Sequence, residues 1–314
     1  MSVFSRVVER VVEESSKVLV DRQRHVELIT FAIILEGHVL IEGIPGIAKT
    51  LTAKTVAKLL NLSFSRVQCT VDMLPSDIIG TRIYNPKTGS FELRLGPIYS
   101  NIVLVDEINR ASPRTQSALL EAMQERQVTI DGETVKLPRP FVVLATQNPI
   151  ELEGTFPLPE AQLDRFFIKV EMDTLERNAL INLLRRNVKT IDAEFENLKP
   201  VVTREELFTA TEEVHKVYVD DSIYDYIARL VEYSHRHPAV RLGITPRGAL
   251  MLLNLAKEYA LYDHRDYVIP DDVKKAALPA LMHRILLKPE YIAEGYTGKK
   301  VILEILSKVE VPKP

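Results

Sequence analysis

The chain has 314 residues, of which 46% are hydrophobic and 26% charged, and its net charge is −3. That composition belongs to a folded globular protein with a core large enough to be split over two domains, and it carries no global basic field to attract nucleic acid or an anionic membrane. The single cysteine, Cys69, cannot form an intramolecular disulfide, which points to a reducing compartment.

The N-terminal residues Met1 to Glu14 place Phe4, Val7, Val8, Val11 and Val12 on one helical face. This differs from the unbroken apolar run of a signal peptide, and no stretch reaches the length of a membrane span; a cytoplasmic protein is expected. Up to about Glu171, short apolar runs alternate with helical stretches. The runs are 38–41, 64–68, 102–105, 141–145 and 167–170. Near-continuous Val/Ile/Leu runs suit a parallel sheet covered on both faces, so residues 1–171 are expected to form a doubly wound α/β domain. Two segments interrupt it. Residues 82–93 have strand-like flanks around a turn, and 127–137 read as a hairpin centred on Asp131-Gly132. Ser112-Pro113 supplies an N-cap and first helical position. From residue 172 to 314 helical periodicity dominates, with no convincing strand, and an all-helical domain is expected there. Tyr218, Tyr224, Tyr226 and Tyr233 read as packing residues of its helices.

The chemistry is concentrated in the first domain. The run 38–41 leads into Gly43-Ile44-Pro45-Gly46-Ile47-Ala48-Lys49-Thr50, and Leu51 opens a helix. A strand, a glycine-containing loop and a helix in that order make a phosphate cradle, with backbone N–H groups and the helix N-terminus directed at one spot. Lys49 reaches the β- and γ-phosphates in such a cradle, and the Thr50 hydroxyl ligates Mg²⁺. The position before the lysine, usually glycine, is Ala48. The strand 102–105 runs into Asp106-Glu107. A buried strand ending in two acids needs a cation or a held water: Asp106 would hold magnesium and Glu107 would orient the attacking water. The strand 141–145 leads to Asn148, placed on the same sheet edge and able to bond the water and the γ-phosphate. Arg165 is a candidate to meet developing phosphoryl charge from a neighbouring subunit, and Arg247, opening a helix of the second domain, a candidate to fold over bound nucleotide.

Together these segments resemble an AAA+ ATPase, and more narrowly the MoxR family. The resemblance rests on the phosphate loop at 43–50, Asp106-Glu107-Ile108-Asn109-Arg110-Ala111, Gln147-Asn148-Pro149 and the stretch 155–166, and it covers nearly the whole chain. Alanine at position 48 is familiar in that family. The resemblance implies ATP and Mg²⁺ as cofactors, Asn148 as first sensor, Arg165 as a finger acting in trans and Arg247 as second sensor. It further implies a homo-oligomer, a hexameric ring, with the two insertions facing a central pore. The output would be chaperone-like remodelling or maturation of a client protein, such as metal-cofactor insertion, beside a partner with a metal-binding adhesion-type domain. Arg110 and Arg114 are further candidates for the subunit interface. One departure is Arg22, where relatives usually have glycine; it bears on how adenine is seated. Two other outputs compete with remodelling. A nucleic-acid translocase is opposed by the acidic hairpin tip Asp131-Gly132-Glu133, since Lys87 is the only clear basic tip residue. A nucleotide-gated module without turnover is opposed by the intact Asp106-Glu107 pair.

Overall fold

The computed structural model describes residues 2–149, 154–186 and 188–312. Met1, and Asn187 within the helix expected over 175–188, lie outside the described residues. The chain divides into two compact units: residues 10–165 with 170–203, and residues 1–9 with 166–169 and 204–314.

The first unit is built on a sheet of five strands. These are β1 (Val39–Glu42), β2 (Phe64–Gln68), β5 (Ile102–Asp106), β8 (Val142–Gln147) and β9 (Ile168–Glu171), in the order β2-β5-β8-β1-β9. The β2–β5, β5–β8 and β8–β1 pairs are parallel. Each strand falls within a residue or so of the apolar run that predicts it. All five residues of β5 are buried, as a strand between two helical layers requires; each buried Val, Leu or Ile contributes about 1.5–3 kcal/mol. Helices α2 (Gln23–Ile34), α3 (Lys49–Leu59), α4 (Pro75–Ile79), α5 (Pro113–Glu125) and α6 (Glu160–Leu163) alternate with the strands, and α1 (Val3–Ser15) is divided between the units at residue 9. Phe4, Val7, Val8 and Val11 of α1 are buried. Ser112 caps α5, its hydroxyl accepting from the Thr115 N–H, and Pro113 takes the first helical position.

The two interruptions are antiparallel hairpins, β3 (Gly80–Asn85) with β4 (Ser90–Leu95) and β6 (Gln127–Ile130) with β7 (Glu133–Lys136). Asp131 and Gly132 have φ of 48° and 85°, the paired positive values of the expected tight turn. An Arg82–Glu133 ion pair of 2.5 Å ties one hairpin to the other.

The texture of the sequence changes at residue 172, yet residues 172–203 group with the sheet. They hold α7 (Arg177–Arg185) and α8 (Val188–Asn197). The cause is a set of contacts to α3. Lys58 donates its Nζ to the carbonyls of Phe195 (2.7 Å) and Glu196 (2.9 Å) and lies 4.7 Å from the Phe195 ring centre, and the Val201 N–H donates to Leu59 O at 2.9 Å.

The second unit is helical: α9 (Arg204–Lys216), α10 (Asp221–Arg236), α11 (Pro246–Tyr262), α12 (Pro270–Leu281), α13 (Pro289–Ala293) and α14 (Gly298–Lys308). Asp220, Thr245 and Thr297 cap α10, α11 and α14 with side-chain acceptors. One departure from an all-helical unit is a short antiparallel pair, β10 (Val240–Leu242) and β11 (Leu286–Leu287). Another correction concerns the tyrosines: Tyr226 is fully buried, whereas Tyr218 and Tyr224 are exposed. Among the described residues no helix is long and apolar enough to cross a membrane.

His38, just before β1, is sealed in the sheet unit. Its Nε2 donates to Met123 O at 3.0 Å and its Nδ1 accepts from the Val143 N–H at 3.0 Å, so the neutral ring satisfies both partners. Burial pulls its pKa down to about 4. An unfolded histidine titrates near 6.5. Above that pH neither state binds the proton. As pH falls from about 6.5 toward 4, the unfolded chain takes up a proton that the folded chain refuses, and stability falls by about 3 kcal/mol in total. Denaturant unfolding across this window should show a steeper loss in the unaltered protein than in His38→Gln; equal slopes would refute the assignment.

Candidate active site

The site lies at the carboxyl ends of β1, β5 and β8. Strand register sets it: Glu42 pairs with Gln147, and Gln68 of β2 pairs with Asp106. The chain therefore leaves the sheet at nearly one level, and Gly43, Glu107 and Asn148 follow at a common edge.

The loop 43–48 is shaped by close packing. A Cβ on Gly43 would stand 2.3 Å from Ile47 Cδ1 and 2.7 Å from Met172 O, so only glycine fits. Ala48 has φ 69° and ψ 24°, left-handed geometry that explains why glycine is usual at this position. Helix α3 begins at Lys49, and its first unpaired N–H groups face the loop. Lys49 Nζ donates to Gly43 O at 2.6 Å, holding the ammonium over the loop. Thr50 follows in the first turn of α3.

Asp106 is buried, and both its oxygens are engaged. Oδ2 accepts from Arg66 Nε at 2.6 Å and Oδ1 from the Thr146 hydroxyl at 3.1 Å. Glu107 takes φ 56° and ψ 52°, a left-handed turn that separates two successive carboxylates. Its N–H donates to Thr146 Oγ1 at 2.9 Å, while its Oε2 lies 3.1 Å from Gln68 Nε2 and 2.9 Å from Arg110 Nε. Gln68 in turn accepts from Arg66 at 3.0 Å. Desolvation of the carboxylates is thus offset by a linked polar chain. Asn148 is buried one residue beyond β8. Cys69, next to this chain, is buried; burial, with Asp106 and Glu107, pushes its thiol up to about 12, so it is held as the unreactive thiol.

The structure thus gathers Lys49, Thr50, Asp106, Glu107 and Asn148 around one edge. Arg165 donates Nη1 to Leu120 O at 2.8 Å, beside α5. Arg247 is the exposed second residue of α11, in the helical unit. Arg114 is exposed on the first turn of α5. Sequence reasoning missed Arg66, Gln68 and Thr146. The first two share one face of β2 by alternation, and a cation and an amide on a strand of an otherwise apolar sheet were the available signal.

Against known proteins, residues 38–168 match the ATPase family associated with various cellular activities (AAA), and residues 232–305 match the AAA lid domain. The fold is that of an AAA+ ATPase. A Cytophaga hutchinsonii crystal structure superposes with a TM-score of 0.91 at 40% identity, over 99% of this chain and 96% of that one. The chain is 48% identical to the uncharacterized protein YeaC of Bacillus subtilis, over 96% of this chain and 94% of the relative. It is 39% identical to Chaperone MoxR1 of Mycobacterium tuberculosis, over 98% of this chain and 82% of the relative. The chain belongs to the MoxR family of AAA+ ATPases.

The left-handed backbone at Ala48 costs about 1 kcal/mol relative to glycine, part of which returns through the extra unfolded-state freedom of glycine. Ala48→Gly should leave stability unchanged or raise it by up to about 1 kcal/mol in thermal or urea unfolding. A clear loss would show that the methyl group makes contacts that outweigh the strain.

Proposed function

We propose that the chain hydrolyses ATP with Mg²⁺ in a homo-oligomeric ring and uses the cycle to remodel or mature a partner protein. The observation that carries the hydrolytic part is the common sheet edge that holds Lys49, Thr50, Asp106, Glu107 and Asn148. Loop residues Gly43 to Ala48 and the start of α3, including Leu51, would hold the phosphates through backbone N–H groups, and Lys49 would turn from Gly43 O to the β- and γ-phosphates. Thr50 and Asp106 would hold the metal. One hydroxyl and one carboxylate are hard oxygen donors, suited to an ion that takes its remaining ligands from phosphate and water. Magnesium held there would supply neutralisation of the charge on the transferring phosphate. Glu107 would orient and polarise water with Asn148, once its carboxylate is released from Gln68 and Arg110. This chemistry is mainly positioning and charge stabilisation.

For the arginine acting in trans we favour Arg165. Arg110 already lies on Glu107 of its own chain, which suits a role within the subunit. Arg247, on the helical unit, would report the phosphate state of the nucleotide. The remodelling output is supported by the name of the Mycobacterium tuberculosis relative, and metal-cofactor insertion is one form it would take, with a metal-binding adhesion-type partner. A nucleic-acid track is disfavoured by the acidic tip Asp131-Gly132-Glu133 of the second hairpin, which would repel phosphates, although its Glu133 pairs with Arg82. A cytoplasmic site of action accords with this reading.

Lys49→Ala should abolish binding of a fluorescent ATP analogue, while Glu107→Gln should bind it and hydrolyse ATP at least about 100-fold more slowly. Undiminished turnover by Glu107→Gln would overturn the assignment. Turnover per subunit should rise with protein concentration and lose that rise in Arg165→Ala; a rate independent of concentration would argue against a finger acting in trans. Glu107→Gln in ATP is also the form to use in a pull-down for the client, with DNA-stimulated turnover as the result that would favour a translocase instead.

A further inference from the structure

The two carbonyls that follow Arg165 are held by a buried arginine. Arg284 stands three residues past the end of α12 and is 5% exposed. Its Nη2 donates to Phe166 O, and its Nη1 donates to Phe167 O at 3.3 Å. Nη1 also donates to Ala280 O and lies 2.7 Å from His283 Nε2. A guanidinium has no acceptor, so His283 presents the lone pair of Nε2. Burial, aided by the Arg284 cation, keeps the pKa of His283 well below the usual histidine value, and the ring stays an acceptor at neutral pH. Residues 166–169 and 204–314 belong to one compact unit, so these bonds are internal to it.

The stem of the same side chain lies against α11. A Cβ added at Gly248 would stand 2.9 Å from Arg284 Cδ and 3.4 Å from its Nε. Gly248 is buried in the first turn of α11, and its N–H donates to the Thr245 hydroxyl at 3.0 Å. Glycine is what admits a pinned side chain so close to the helix backbone. Arg165 and Arg247 therefore each stand one residue before a contact of Arg284: Phe166 follows the first and Gly248 the second.

We propose that Arg284 is a positioning residue that couples these two arginines, so that the nucleotide sensed by Arg247 sets the backbone that carries Arg165. The inference rests on the roles given to Arg165 and Arg247 above. When Arg247 moves toward or away from a γ-phosphate, the first turn of α11 moves with it. Arg284 packs on that turn and shifts too, and Phe166 and Phe167 follow through charge-assisted bonds. A misplacement of about 1 Å at a reacting group costs about 100-fold in rate, so a small shift is enough. The nucleotide held by one subunit thereby governs the finger that it offers to the next.

The test is amide hydrogen exchange over residues 163–169, read in Arg165→Ala. That background removes the side chain that would touch a neighbour's nucleotide, leaving the route through the subunit's own chain. Exchange at the amides of 166–168 should differ at least about 5-fold between ADP and a non-hydrolysable ATP analogue. In Arg165→Ala/Arg284→Met the difference should fall below about 2-fold, while exchange across 43–50 still responds to both nucleotides. Gly248→Ala in the same background keeps the guanidinium but pushes it from α11. It should have the same effect, and serves if the methionine variant fails to fold. A merely structural role would raise exchange in both nucleotide states and leave their ratio unchanged. A ratio that persists in both variants overturns the coupling, as does the lack of any difference at 166–168 before Arg284 is altered. No response at 43–50 to either nucleotide in the folded protein would instead overturn the ATP-binding reading.

Discussion

Everything at the candidate site depends on the register of a parallel ladder. Glu42 lies opposite Gln147 and Gln68 opposite Asp106, so strands distant in sequence stop at one level. The order β5-β8-β1 sets Asn148 between the loop and the carboxylates. A slip of one residue in β5 would turn Asp106 to the other face of the sheet and carry Glu107 with it. The apolar side chains that lock this register are therefore as much a part of the site as the polar groups it displays.

The same edge shows how a nucleotide enzyme tolerates its own charges. Asp106 is nearly sealed from solvent, and Arg66 and Thr146 take one carboxylate oxygen each. Thr146 also accepts the N–H of Glu107, so one hydroxyl orients two successive acids. The left-handed turn at Glu107 then directs its carboxylate toward Gln68 and Arg110. Consecutive acids on a regular strand would point to opposite faces; the turn is what lets both serve one edge.

Much of this could be read before any coordinates. Strands β1, β5 and β8 could, because each is a near-continuous run of Val, Ile and Leu, a pattern that a buried parallel strand imposes. The second hairpin could, because Asp-Gly supplies the two positive φ values its turn needs. The phosphate loop, the acid pair and Asn148 each follow such a strand. The allegiance of residues 172–203 could not be read. Leu180, Leu183 and Ile191 show helical spacing, and spacing says that a face is buried without saying against what. The short β10–β11 pair was too brief for alternation to register. The roles of Arg66 and Gln68 went unread because a long polar side chain reaching across to a neighbouring strand leaves no periodic trace. Tyr218 lies in the link between α9 and α10, and Tyr224 in the first turn of α10, where helical spacing predicts burial least well.

Ala48 has one more consequence. A glycine there would let the loop sample many shapes between encounters with phosphate. The methyl group narrows that range and disfavours the left-handed shape itself, which the packing of Gly43 against Ile47 and Met172 holds in place. The loop thus gives up a little folding stability and in exchange loses less disorder when a ligand arrives. In the proposed ATP cycle, which would empty and refill this loop at every turn, such a receptor would spend less time searching for its binding shape after each product departs.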